Sequence, residues 1–262
     1  MRKSIGSCLL IAGIAILASC GKETKEPDFL EPVEYMALEP GKTLIYQLDS
    51  IVKRDFDDVN FDTLSYQAKD VVDSEITDNL GRKSWRVYRY LRPLESTDES
   101  AWQPDMTYMI TPLRTGVEVI EHNLRFQKLA FPVSLNTVWR GNSHINTTPG
   151  GPLDYLDAWQ YSYTDIGGSF SPFDTPYDNT ITILQADEAL GVMDEKPESP
   201  DLDAYRTYAV EVYAKGIGLI YKELRYWVFS ARTVDNNGTP TQPFPFGKTE
   251  GAGIRLRLIS HN

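Results

Sequence analysis

Cysteine and histidine are almost missing from this chain of 262 residues, which has only Cys8, Cys20 and three histidines. The scarcity excludes a disulfide framework, and the absence of CxxC and HExxH argues against a zinc site. His122, His144 and His261 each lack another histidine two or four positions away. Positive charge is also short: 26 Lys and Arg stand against 37 Asp and Glu, for a formal charge of −11. Such a chain repels nucleic acid and gains nothing from an anionic membrane surface, so no nucleic-acid partner is expected. The one long apolar run, Ile5 to Ala18, is fourteen residues. That is too short for a membrane-spanning helix, which needs about 20. No later run approaches that length, which excludes a polytopic membrane protein. A G-x-S-x-G elbow is missing too, and "GGSFS" at 167–171 lacks a partnered base. No cofactor is called for.

What is present at the start is more informative. Arg2 and Lys3 precede the apolar run, which gives the layout of a secretory signal peptide. The run ends in Leu17, Ala18, Ser19 and Cys20. This quartet resembles the lipobox of bacterial lipoproteins: a branched apolar residue, two small ones that fit a peptidase cleft, then a cysteine. The resemblance implies thioether lipidation of Cys20, loss of residues 1–19 as signal peptide, and acylation of the new amino terminus. The other reading is an ordinary cleaved signal with an incidental cysteine. Each buried CH₂ contributes about 0.8 kcal/mol and one chain holds weakly, so two or three acyl chains make a stable anchor.

Residues 20–40 hold the lipidated cysteine and then Lys, Glu, Thr and three prolines, and they read as a flexible tether. Cys8 leaves with the signal, so the mature domain has neither disulfide nor thiol catalyst. Loss of Arg2 and Lys3 takes the formal charge from −11 to −13. No aspartate follows Cys20 in the second place, which favours the outer membrane. Glu23 and Glu26 are diluted by Lys22 and Lys25. Periplasmic face and cell surface therefore both stay open. The membrane is a partner through acylated Cys20.

The remaining 41–262 reads as a single β-rich domain. Five Trp, fifteen Tyr and ten Phe suit strands better than helices. In "TLIYQLDSIV", Leu44, Tyr46 and Leu48 share one face. In "IRLRLI", Ile254, Leu256 and Leu258 alternate with Arg255 and Arg257. "GVEVIEHNLRFQKLAF" reads as strand, with His122 inside it. "YRTYAVEVYAKGIGLIYKELRYWVF" reads as a long hairpin turning at Gly216 and Gly218. The expectation is an all-β fold, mostly antiparallel, as a curved sheet, half-barrel or barrel, with little helix. Long loops are expected at 140–156, 187–204 and 232–252. "YQLDSIVKRDFDDVNFDTLSYQAKD" and "YSYTDIGGSFSPFDTPYDNTITILQAD" echo each other, which suggests a pseudo-repeat with a boundary near 137, beside the reading of two unrelated hairpins.

The lipobox together with "LIYQLDSIV", "NLRFQKLAFPVSLNTVW" and "EVYAKGIGLIYKEL" resembles the small lipoproteins of unknown function common in Bacteroidota. The resemblance implies an envelope location and a β fold, and carries no catalytic residues. A vaguer likeness is to the curved half-barrel lipoprotein carriers and receptors of the outer membrane. The short patterns "DSI" at 49–51 and "DTL" at 62–64 match the aspartate–Ser/Thr–apolar motif of O-glycosylation in Bacteroidota.

Three residue groups carry possible chemistry. Trp85, Trp102, Trp139, Trp159 and Trp227 are candidate ligand-binding residues, able to stack on sugars or line an apolar cavity, beside the plainer reading of core residues. Asp55, Asp57, Asp58 and Asp62 are weak calcium candidates without the EF-hand glycine and terminal glutamate, and a solvated acidic loop explains them as well. "PFPFG" at 243–247 is the best exposed apolar stretch, beside the reading of a loop folded over the core. The leading functional expectation is a non-catalytic, lipid-anchored binding or scaffold domain with an envelope protein or glycan partner. A carrier or sensor of an apolar ligand in a β cavity is the second. A hydrolase of envelope glycans or esters is the third.

Overall fold

The computed structural model describes residues 32–157, 159–241 and 244–262. Cys20 and the signal lie outside these residues. The described chain is nearly all strand, as the alternation predicts. β1 (Thr43–Lys53), β2 (Phe61–Thr77), β3 (Lys83–Pro93), β4 (Gln103–Leu113), β5 (Gly116–Glu121) and β6 (Leu124–Ala130) form one meander. β7 (Val138–Trp139), β8 (Tyr161–Phe170) and β9 (Tyr177–Leu190) begin a second. After a small hairpin of β10 (Val192–Met193) and β11 (Lys196–Pro197), that meander continues with β12 (Ala204–Ala214), β13 (Gly218–Ser230) and β14 (Lys248–His261).

The two meanders join along β1 and β14, where Tyr46 faces Leu258 and Leu48 faces Leu256. At the other side the edge strands β6 and β7 approach each other. The Gln127 N–H donates to the Gly141 carbonyl at 2.8 Å, and the Trp139 indole N–H donates to the Gln127 carbonyl at 2.8 Å. Because β7 is so short, Tyr163 on β8 reaches past it to β6. Its hydroxyl accepts from the Ala130 N–H at 3.2 Å and donates to the Ala130 carbonyl at 2.8 Å. The antiparallel sheet is thereby nearly closed into a barrel.

Position 137 falls between the two meanders, each of six strands. The sequence echo nevertheless does not superpose them. It matches the β1–β2 hairpin to the β8–β9 hairpin, and β1 and β8 run in opposite directions, so the two tips sit at opposite ends of the barrel. What the phrases share is the composition of a Phe-Asp hairpin loop. A second difference concerns His122: with Asn123 it has a positive φ (52° and 62°) and forms the two-residue turn between β5 and β6. Such a turn needs left-handed backbone at both positions, which Asn tolerates better than most residues other than glycine.

The inward faces carry the apolar residues, Tyr46, Val87, Val117, Leu129, Tyr161, Ile181 and Ile183 among them, all almost fully buried. The outward faces carry charge, as at Arg86 and Arg92 on β3 and Arg255 and Arg257 on β14. That pattern is the reverse of a membrane-spanning barrel, which turns its apolar band outward.

Both ends are plugged. At the end where β1 begins, a short 3₁₀ turn (Pro32–Tyr35) sends Tyr35, Met36 and Leu38 into the core. The Glu34 carbonyl accepts from the Gly216 N–H at 2.6 Å, which ties this segment to the β12–β13 turn. Residues 32–38, assigned to the tether on composition, thus belong to the domain, because three large apolar side chains find the barrel mouth. At the opposite end, the loop after β7 places Leu156 and Trp159 in the core, with Tyr155 stacked on Tyr226 at 4.3 Å. Asn142 fastens the loop: it donates to the Leu156 carbonyl at 3.0 Å and accepts from the Tyr161 hydroxyl at 2.8 Å.

Candidate functional site: a rim cavity beside a packed ionic core

The barrel interior holds charges as well as hydrocarbon. Asp70 and Arg89 form two hydrogen bonds of 2.6 Å, and the Tyr108 hydroxyl donates to Asp70 at 2.9 Å. Lys128 lies 2.7 Å from Glu211 and 3.5 Å from Glu121, and Lys222 lies 3.2 Å from Glu121 and 3.7 Å from Glu211. The Tyr213 hydroxyl donates to Glu211 at 2.7 Å. Three acids thus face three bases. Burial works to raise the Glu121 and Glu211 carboxyls, but the two lysines outweigh it and hold both below the usual range. Burial likewise opposes the charge on Lys128, and the two glutamates overcome it and hold the ammonium well above its ordinary value. An isolated ion in this interior costs several kcal/mol, so mutual pairing is what permits the cluster. Each charge is used by a neighbour.

The second feature is a cavity of about 540 Å³ on the outer face of the sheet, at the rim opposite the Pro32 plug. Its floor is Trp227 and Phe229 on β13, outward-facing by alternation with the inward Tyr226. The floor exists because β14 carries glycine where Trp227 must lie. Gly251 has a φ of +148°, and a Cβ there would sit 2.6 Å from the Trp227 Cα. Gly247, at a φ of +85°, lies on the Phe229 ring, 2.2 Å from where its Cβ would be. One wall is the β1–β2 loop, with Arg54, Val59 and Asn60, and Phe61 at the start of β2. The facing wall is the β10–β11 hairpin, with Glu195, Lys196 and Pro197, and Pro200 beyond it. Phe246, 72% exposed, stands at the mouth, and Thr249 closes the edge. The Thr249 hydroxyl is buried without a partner among the described residues.

Most of the charges around the cavity are already paired. Arg54 donates to Asp62 at 2.8 Å and lies 3.8 Å from Asp57. Glu195 meets Arg225 at 2.8 Å and Arg206 at 3.4 Å. Lys196 makes no ion pair among the described residues, so the walls keep one unmatched positive charge.

The five tryptophans do not meet. Trp85, Trp139 and Trp159 pack on the barrel core, the last two both against Tyr161. Trp102 lies on the outer surface between Lys69 and Arg92, each 4.3 Å from its ring centre. Only Trp227 lines the rim cavity. Of the aspartates, Asp57 accepts from the Val59 and Asn60 N–H groups and the Asn60 amide; the amide bond contributes most to holding its carboxyl down at about 2. Asp62 holds Arg54, the Asp58 carbonyl accepts from Lys53 and from the Thr249 N–H, and Asp55 is exposed. Among the described residues, no three His, Cys, Asp or Glu side chains gather as a metal's ligands would. Ser50 is held mid-strand with Asp49 buried beside it, whereas Thr63 is exposed.

Phe61, Phe229, Lys196 and Thr249 were not singled out from the sequence. The signal that points to them is "EGAG" at 250–253, where glycines two apart empty one face of a strand. Phe246 was in view through "PFPFG". The chain matches no protein-family model and no curated protein.

Proposed function

We propose that this protein is a lipid-anchored binding domain of the cell envelope that holds its ligand at the rim cavity and performs no catalysis. The supporting observation is polarity of the molecule. The chain enters the barrel at the Pro32 end, and the cavity opens at the opposite rim. An anchor on Cys20 would join the domain at the end away from the cavity, through at most about 40 Å of extended chain before Pro32. The interior charges support a structural role, since each is spent on a partner behind packed side chains. The barrel interior, where a carrier would hold a lipid, is filled by residues such as Ile181, Ile183 and Tyr213.

The test is intact-mass analysis and fractionation of the full chain in a host with lipoprotein processing. The expected result is a mature protein starting at Cys20 with acyl mass, in the membrane fraction, and release of the Cys20→Ser variant. Cleavage elsewhere, or a membrane fraction unchanged by Cys20→Ser, would overturn the anchored reading.

A further inference from the structure

The rim cavity has features that go past "binding site" and select a ligand class. We infer that it takes an apolar carboxylate, a compact hydrocarbon body (an aromatic ring suits it best) carrying one anionic group. The inference rests on the reading above in naming a ligand for the same site.

Four observations carry it. First, the floor is recessed: Trp227 is 7% exposed and Phe229 1%, under walls that include Phe61, Pro197 and Pro200. At about 540 Å³ the space lies within the usual range of roughly 300–1,000 Å³ for small-molecule pockets. A sugar platform needs ring faces open to solvent, and here only Phe246 offers one. Hydrocarbon fits the recess better than a surface of hydroxyls. Second, Lys196 supplies the one unmatched charge, because Arg54 and Glu195 are held by partners outside the cavity. An anion completes it.

Third, Thr249 borders the cavity and its buried hydroxyl lacks a partner among the described residues; a turn of the side chain toward the cavity would let it donate to a ligand oxygen. Leaving a buried hydroxyl unpaired is costly, and a ligand acceptor recovers that cost. Fourth, the hairpin that carries Lys196 is strained. Its two-residue turn, Asp194 and Glu195, has φ of 49° and 62° at both positions. Such a turn prefers Asn-Gly, and residues with a Cβ adopt it less readily. The ion pairs of Glu195 with Arg206 and Arg225 hold it in place, which fixes Lys196 at the cavity mouth.

The same chemistry occurs in a free aryl or alkyl acid and at the carboxyl end of a peptide with an aromatic last residue. The experiment is equilibrium dialysis of radiolabelled 3-phenylpropionate against the full chain in phosphatidylcholine nanodiscs, with empty discs as blank. The neutral amide of the same acid is the comparison. Saturable binding of the acid at least ten-fold tighter than of the amide is expected, with the preference lost in Lys196→Gln. Lys196 is exposed, so this variant folds. A peptide ending in free phenylalanine that binds ten-fold tighter than 3-phenylpropionate assigns the site to chain ends, and a weaker one assigns it to free acids. Equal binding of acid and amide, no saturable binding of either, or an acid preference that survives in Lys196→Gln overturns the inference. So does saturable binding of a neutral oligosaccharide in place of the acid. The anchoring test reads membrane partition whatever this one returns, so the two can fail separately.

Discussion

Lys128 shows how a single side chain can be both costly and necessary. It stands in the barrel between Glu211 and Glu121 and is shielded from water by the wall behind it. Lys128→Met removes a charge and leaves two carboxylates with Lys222 alone. Breaking one partner out of a buried ionic group typically costs about 3–5 kcal/mol. A loss of that size is expected in urea unfolding of Lys128→Met, whereas Lys83→Met, whose exposed pair with Glu75 is screened by water, should change stability by less than about 1 kcal/mol. Equal effects from the two variants would show that the interior is wetter than the packing implies. Lys128 was not visible in the sequence as a buried group. "RFQKLAF" offers a lysine in a strand, and the plain expectation is a solvated one. A β-bulge pairs Glu118 with Gln127 and then Val117 with Leu129, which leaves Lys128 as the extra residue, and its side chain turns inward to Glu211.

At the scale of elements, the short segment before β1 is the one most misjudged by composition. Prolines and charges at 21–40 look like a linker, and residues 39–41 are indeed exposed. Tyr35, Met36 and Leu38 differ because they meet a barrel end lined by core side chains. Truncating a buried aromatic costs about 3–5 kcal/mol. Tyr35→Ala is therefore expected to lower the urea midpoint as strongly as a change in a central strand. An unchanged midpoint would return residues 32–38 to the tether. The hairpins were more legible. "YAKGIG" places its turn at Gly216 as read, since turn chemistry is local, whereas the turn at His122 escaped because "EHN" lacks the usual glycine.

For the whole molecule, acid stability follows from the paired carboxylates. Glu121, Glu211 and Asp49 all have folded pKa values below their unfolded ones. For Asp49, burial pushes upward, but hydrogen bonds from Gln47, Ser65 and Arg255 together prevail. A depressed carboxyl contributes stability that is present above its unfolded pKa, about 4, and lost as pH falls through the folded one. Lys128 has the opposite sense: its raised folded pKa gives a contribution complete below about 10.4 and lost only above it. Urea midpoints should accordingly be level from about pH 6 to 9 and fall steadily below about pH 4.5. A midpoint that rises on acidification would mean that relief of the net −11 charge outweighs these pairs.

The sequence by itself determined the class of fold and most of its strands. Period-two alternation and turn residues are properties of a few adjacent positions, and they read true at β1, at β14 and at the long β12–β13 hairpin. Closure was decided elsewhere. It needs Tyr163 to find Ala130, 33 residues away, past a strand too short to do the work. The same holds for the cavity, whose walls come from 54–61, 195–200, 227–229 and 246–249, brought together only when β1, β14 and β13 lie side by side. Composition could count five tryptophans, but which of them turn inward, outward or toward the rim depends on register and sheet direction. Those are set by long-range pairing, and no local window contains them.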